Sequence, residues 1–299
     1  MDTAARQLEI LAGTGDGTET GRPTFALALG GGGARGLAHI HVAEVLDELG
    51  IRPVAIAGSS IGAIVGAGIA SGMSGREIED HALFVLARRI EVVSRMWRTR
   101  PATFGEMLEN GLRVTQFDIK RILRAFLPDR LPMQFEDLAI PLQVTATDFY
   151  DRSQIVFESG DLFQAMAASA AIPAVFRPIL HEGRLLVDGG IVNPVPFDLL
   201  RGKADIIIAI DVVGAPKANG KPPTSLELVL GASQIMMQSI IALKLQSTQP
   251  HILLRPPVSH IGVLDFLKVR RVLTETLPIR DELKRAIEAA IAGWQPVAA

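Results

Sequence analysis

"TFALALGGGGARGLAHIHVAEVLDELG", residues 24–50, runs directly into "IRPVAIAGSSIGAIVGAGIA", residues 51–70, and this pair of segments decides the fold. Thr24 to Leu29 is a short apolar run closed by glycine, which predicts a buried strand. Ala34 to Leu49 carries apolar residues at helical spacing, among them Leu37, Ile40, Val45 and Leu49, and Gly50 stops it. Val54 to Gly58 predicts a second strand and Ile61 to Ala70 a second helix. Strand, helix, strand, helix in so short a span is the signature of a parallel sheet.

The rest of the chain extends that pattern. Ser74 to Glu109 reads as mostly helical and more polar, and Asp118 to Phe126 as a short helix. "IPLQVTATDF" and "SQIVFES" predict strands flanking a turn at Tyr150 to Arg152. Asp161 to Ala171 predicts a helix of small residues stopped at Ile172-Pro173. "RLLVDGG" and the continuous apolar run "ADIIIAIDV" predict further strands, the second a central one. Leu226 to Gln246 and Ile279 to Ala292 are C-terminal helices. The expected fold class is α/β, with a mainly parallel central sheet flanked by helices in three layers. Residues 1–23 are expected to be a flexible lead-in, 24–215 the core, and 216–299 a helical C-terminal part of the same domain.

Composition narrows the function classes. Hydrophobic residues make up 48% of 299 and mean hydropathy is +0.30, so a large buried core is expected. A formal charge of −2 and a pI near 6.3 argue against nucleic acid, whose phosphates need a dense basic face. The densest cationic run, Arg88 to Arg100, suits a solvated helix end; the sharper alternative is a surface for anionic headgroups. The absence of cysteine removes disulfides, thiolate metal sites and a cysteine nucleophile, and fits a reducing compartment. No metal or cofactor is expected. The N-terminus has early acids and no apolar core of a signal peptide. Pro53 to Gly75 lacks charge and contains Gly62-x-x-x-Gly66, like a membrane helix, but its six glycines and four serines fit a buried strand-turn-helix better.

Gly58-Ser59-Ser60-Ile61-Gly62 matches G-x-S-x-G, with Ser60 at the centre. An apolar strand precedes it and a helix follows, as a nucleophile elbow requires: the serine takes a strained turn, and Gly58 and Gly62 let the backbone fold tightly. The competing reading is a helix N-cap in a glycine-rich turn. A nucleophilic serine needs a base, and none of the histidines at 39, 41, 81, 181, 251 and 260 lies in a supporting motif. Asp188 ends a predicted strand and precedes Gly189 and Gly190, which turn the chain and admit a close neighbour. As a direct base it would need burial to raise its pKa; otherwise it is a turn aspartate. Asp148 and Asp211 are weaker candidates.

The glycine loop contains Gly31-x-Gly33-x-x-Gly36, the spacing of a dinucleotide loop. The second strand, however, ends without the acid that would bind a ribose, and the loop lacks the Lys-Ser/Thr of a phosphate-binding loop. An oxyanion hole asks only for backbone amides at a helix start near the serine, which Gly31, Gly32 and Gly33 could provide. Arg35 would brace the loop, aid a polar headgroup, or form a surface salt bridge.

"GGGGARG", "GSSIG", "DGG" and the segment Met166 to Pro196 together resemble the patatin-like phospholipase family, over about Phe25 to Val213. The resemblance implies a serine acyl hydrolase with a Ser-Asp dyad, acting on phospholipid, lysophospholipid or acylglycerol esters. Carried over, Ser60 is nucleophile, Asp188 is base, and Gly31, Gly32 and Gly33 form the oxyanion hole, with no cofactor. Alternatives are a transacylase using the same dyad and a non-catalytic lipid-binding or regulatory module. The implied partner is a lipid ester met in transient contact with a membrane surface, with the protein in the cytoplasm and its oligomeric state open. Leu226 to Gln246 reads first as a buried core helix or dimer face, and second as an acyl channel or membrane-facing lid.

Overall fold

Phe25 to Leu29 is apolar at every position and every one of its side chains is buried, as a strand covered on both faces must be. The computed structural model describes residues 21–87, 116–218, 220 and 222–295. The cationic run Arg88 to Arg100, most of the N-terminal lead-in and the far part of the Ser74 to Glu109 helix lie outside the described residues.

In chain order the elements are β1 (Phe25–Leu29), α1 (His39–Glu48), β2 (Ala55–Ser59), α2 (Ile61–Ala70) and α3 (Gly75–Ala87). There follow α4 (Ile119–Phe126), β3 (Leu142–Asp148), β4 (Ser153–Phe157), α5 (Leu162–Ser169), β5 (Ile179–His181) and β6 (Arg184–Asp188). β7 (Ile206–Ile210), α6 (Ser225–Ser247), β8 (Ile252–Leu254), α7 (Val269–Thr276) and α8 (Ile279–Gly293) complete the set. Short side chains fix several helix starts: Asp118 accepts from the Lys120 and Arg121 amides, Asp161 from Gln164, and Thr224 forms a reciprocal box with Glu227.

The strands form one sheet in the order β5-β6-β3-β2-β1-β7-β8, with β4 beside β3. From β3 to β8 the neighbours run parallel. β4, β5 and β6 pair antiparallel. Large side chains such as Leu27, Leu29, Ile56 and Ile208 point to one face, against α1, α2, α5 and α8. Each such fully buried side chain contributes about 2 kcal/mol. Ala26, Ala28, Ala55, Ala57 and Ala209 form the other face, closed by Phe197, Leu200 and Ile241 of α6. The fold is thus a mixed, mostly parallel sheet between helical layers.

β3 sets the geometry of the site. Along one edge β4 pairs with Val144 to Asp148. A strand has only two edges, so β2, paired with Leu142 to Thr145, and β6, paired with Ala146 to Asp148, share the other. β2 runs parallel to β3 and β6 antiparallel, so they meet head to head. Ser59 pairs with Thr145 and Asp188 with the next residue, Ala146. Had β2 continued straight, Ser60 would occupy the place that Asp188 fills.

Three expectations differ from the structure. The helix expected from Ala34 begins as a 3-10 turn, Gly33–Ala38, before α1, and its first-turn Ala34 amide, which has no acceptor within the helix, bonds Val263 O at 2.8 Å. Residues 216–299 supply helices and also the edge strand β8. The helix over Leu226 to Gln246 is not a buried core helix: only Gln234 and Ile241 of α6 are fully buried. Its inner face combines Ile241, Met237 and Leu245 with the hydrogen-bonded Gln234, Gln238 and Lys244, and several of its apolar residues are left outside.

Candidate active site

Ser60 sits between β2 and α2 with φ 54° and ψ −123°, a left-handed conformation that costs a non-glycine residue about 1–3 kcal/mol. The surroundings enforce it. Gly62 lies against the Leu29 carbonyl and Gly58 against Ala63, so a side chain at either place would collide with backbone. The Ser60 N–H donates to Ser169 Oγ at 2.8 Å. The hydroxyl is therefore not capping the helix; Ser60 Oγ donates to Asp188 Oδ2 at 2.6 Å.

Asp188 is buried. Its second oxygen, Oδ1, accepts from the Gly190 N–H at 2.8 Å, and its backbone carbonyl accepts from Thr147 Oγ1 at 2.8 Å. Gly189 packs on the Thr145 carbonyl. Burial raises the Asp188 pKa from the usual carboxylate value to about 6, against the smaller opposing pull of the Ser60 and Gly190 hydrogen bonds. A carboxylate of that pKa is a better match for accepting a proton near neutrality than one of about 4.

Of the glycine loop, Gly31 lies closest, in contact with Ser60 Cβ. It is not an available donor, however: its N–H goes to Pro194 O at 2.9 Å. Gly30 N–H is likewise taken, by Ile210 O at 3.0 Å. The amides of Gly32 and Gly33, at the start of the 3-10 turn, make no hydrogen bond among the described residues, nor does that of Ile61 at the start of α2. Of the three glycines expected as donors, Gly31 thus has its N–H engaged, while Gly32 and Gly33 do not. The Ile61 amide, which the sequence reading did not single out, is likewise without an acceptor among the described residues. Its signal was its position, directly after the elbow serine.

Arg35 does not reach solvent. Its Nε donates to Ile261 O at 2.6 Å and its Nη1 to Val213 O. Gln234, with its amide oxygen turned toward the guanidinium, accepts from both Nη1 and Nη2. Burial lowers the Arg35 pKa to about 10, so it stays cationic at neutral pH. It braces the glycine loop against the β7 exit and α6, and forms no surface salt bridge.

Among the described residues no histidine hydrogen-bonds Ser60 or Asp188. His39 is fully enclosed, its Nε2 2.9 Å from Gly30 O, and burial lowers its pKa to about 4, which keeps it neutral. His41 bonds Glu44 and Leu273 O, His81 bonds Phe126 O, His251 accepts from the Ile207 amide, and His260 pairs with Glu275. His181 packs edge-on against Phe157. The other two strand-end acids are also engaged elsewhere: Asp148 accepts from the Tyr150 and Asp151 amides, and Asp211 binds Arg255 at 3.1 Å.

Ser60, Ile61 and Gly33 open onto a cavity of about 510 Å³. Ile40, Val65, Leu123, Phe126 and Phe176 are among its apolar walls. Its size is that of a small-molecule site, roughly 300–1,000 Å³. Among the described residues no cluster of His, Asp and Glu is arranged to hold a metal.

The family model for patatin-like phospholipases matches residues 27–201, which contain Ser60, Asp188 and the glycine loop and make up more than half of the chain. The chain belongs to the patatin-like phospholipase family. An uncharacterized NTE family protein of Mycobacterium tuberculosis is 35% identical over 209 residues, covering 69% of this chain and 54% of that one. Lysophospholipase nte1 of Neurospora crassa is 28% identical over 274 residues, 82% of this chain and 17% of that one. The chain thus spans about half the length, or less, of these curated relatives. VipD from Legionella pneumophila, a solved structure, matches 93% of this chain and 73% of its own at 12% identity and a TM-score of 0.43. Within the patatin-like phospholipase match, Ser60 and Asp188 stand at the meeting of β2 and β6, and the glycine loop lies beside them.

Proposed function

We propose that this patatin-like protein is a serine acyl hydrolase that cleaves carboxylic esters of lipids through Ser60 and Asp188. The observation that carries the proposal is the 2.6 Å hydrogen bond from Ser60 Oγ to Asp188 Oδ2, made by a serine in a strained elbow at the mouth of an apolar cavity. Such a serine is already aligned with its base and has its hydroxyl free of any capping role.

In the first step Ser60 Oγ attacks the ester carbonyl while its proton passes to Asp188 Oδ2. The tetrahedral oxyanion is received by the amides of Gly32, Gly33 and Ile61. Its collapse breaks the bond to the alcohol portion, which leaves with the proton from Asp188, and the acyl group remains on Ser60. Water then attacks the acyl-enzyme and gives a proton to Asp188. Collapse of the second oxyanion returns that proton to Ser60 Oγ and releases the fatty acid. The cavity receives the acyl chain, where each buried methylene contributes about 0.8 kcal/mol.

The lysophospholipase name of the Neurospora relative supports lysophospholipid as the first substrate to try. Fatty acid release from lysophosphatidylcholine is expected for the wild-type chain and absent in Ser60→Ala. Equal release by both proteins would reject the reading.

A further inference from the structure

α6 is apolar on both its inner and its outer side, and polar side chains anchor the inner one. From Leu228 to Leu243 it carries no Asp, Glu, Lys or Arg across sixteen residues. On the side turned to the protein Ile241 is buried and Met237 and Leu245 pack beside it, and polar groups hold the same side in place. Gln234 accepts from Arg35, Gln238 reaches Gly214 O at 3.3 Å, and Lys244 donates to Asn193 at 2.7 Å and to Asp198. The opposite side is apolar and open, with Leu228 57%, Ile235 59%, Met236 60% and Leu243 65% exposed. Their spacing of seven, eight and fifteen residues puts them on one stripe. A stripe of large apolar side chains in water marks a contact surface.

Its place is adjacent to the chemistry. Met237, on the flank of α6, lies against Gly190, two residues beyond Asp188. The stripe is therefore one helix diameter, about 10 Å, outside the loop that holds the base.

We infer that this stripe is where the protein docks on a lipid bilayer, with α6 lying flat in the interface. The inference rests on the lipid-ester reading, since that substrate resides in the surface the stripe would enter. Length and a mean hydropathy of 1.5 would let α6 cross a membrane by composition alone. Crossing, however, would carry the partners of Gln234, Gln238 and Lys244 into hydrocarbon or leave these side chains unpaired, so the helix binds by its outer face. A second copy is the poorer occupant. From Leu228 to Leu243 the stripe is about 24 Å long and 10 Å wide, roughly 240 Å², under a third of the roughly 800 Å² per partner that a standard protein interface buries.

The test uses flotation of the full chain with phosphatidylcholine vesicles. The wild type is expected to float in low and high salt alike, because the stripe is uncharged. The combined variant Leu228→Glu/Ile235→Glu/Leu243→Glu is expected to lose roughly tenfold or more of its partitioning, while hydrolysing a soluble short-chain nitrophenyl ester at the wild-type rate. The milder pair Ile235→Ser/Met236→Ser shifts partitioning in the same direction by less. Leu180→Glu, at an exposed apolar residue of β5, floats like the wild type. Undiminished flotation of both stripe variants overturns the proposal. So does a wild-type dimer, in analytical ultracentrifugation, that the combined variant dissociates, since that assigns the stripe to a second copy. Ser60→Ala floats normally, so a wild type that floats but hydrolyses nothing counts against the hydrolase reading alone.

Discussion

Asp188 holds Ser60 with no cation beside it among the described residues. Its Oδ2 accepts from Ser60 Oγ at 2.6 Å and its Oδ1 from the Gly190 N–H at 2.8 Å, while the buried Arg35 is spent on carbonyl oxygens and Gln234. Burial of this carboxylate outweighs its two hydrogen bonds, and its raised pKa follows from that.

Activity should therefore report the ionisation of Asp188. The base works only when deprotonated, so kcat/KM on a soluble ester is expected to fall about tenfold per pH unit below about 6. A profile flat to pH 4, or one whose inflection disappears on changing a histidine, contradicts this assignment.

The same shift has a consequence for stability. In the unfolded chain the carboxyl ionises from about 4 upward, but in the folded protein only above about 6. Ionisation between these values favours the unfolded state, so stability declines as pH rises through that window. About two pH units at roughly 1.4 kcal/mol each give a loss of about 3 kcal/mol. Asp188→Asn is free of this loss. Its urea midpoint should exceed that of the wild type at pH 8, with the advantage gone at pH 4, although the variant is inactive. An equal difference at both pH values would refute the linkage.

Gly32 tests the oxyanion loop. A Cβ there would collide with the Val212 carbonyl, so Gly32→Ala must displace an amide that now points free of any acceptor. Losing one such donor lowers kcat by about 100-fold or more, with KM little changed. A KM effect alone would mean that the loop binds substrate without stabilising the transition state.

How the chain supplies these groups was only partly legible in its sequence. β1 and β7 announced themselves because strands buried on both faces must be apolar throughout. Ser60 and Asp188 were legible as candidates because a strained elbow and a strand-end turn need glycine neighbours. Their meeting was not, since it depends on the register by which β3 aligns Ser59 with Thr145 and Asp188 with Ala146. The loss of Gly31 as a donor depends on Pro194 O, far along the chain. The orientation of α6 was hidden for a related reason. Composition shows that the helix is apolar, but its polar side is fixed by Arg35, Asp211 and Asp198 from distant segments. β5 and β8, three residues each, are too short to show a period.

The cavity predicts chain-length selectivity. Val65→Trp fills part of the apolar space beside Ser60, and each methylene thereby excluded costs about 0.8 kcal/mol, roughly fourfold in kcat/KM. Preference should move from long-chain toward short-chain nitrophenyl esters. An unchanged preference places the acyl chain elsewhere.

The central claim is that Ser60, activated by Asp188 alone, is the nucleophile. Its most direct measurement is the rate and position of alkyl fluorophosphonate labelling, read by mass spectrometry on the wild type, Ser60→Ala, Asp188→Asn and His39→Gln. The account predicts one adduct on the Ser60 peptide, none in Ser60→Ala, and labelling slowed about 100-fold or more in Asp188→Asn, with Ser60 still labelled in His39→Gln. An adduct on another residue, or wild-type labelling of Asp188→Asn, would contradict it.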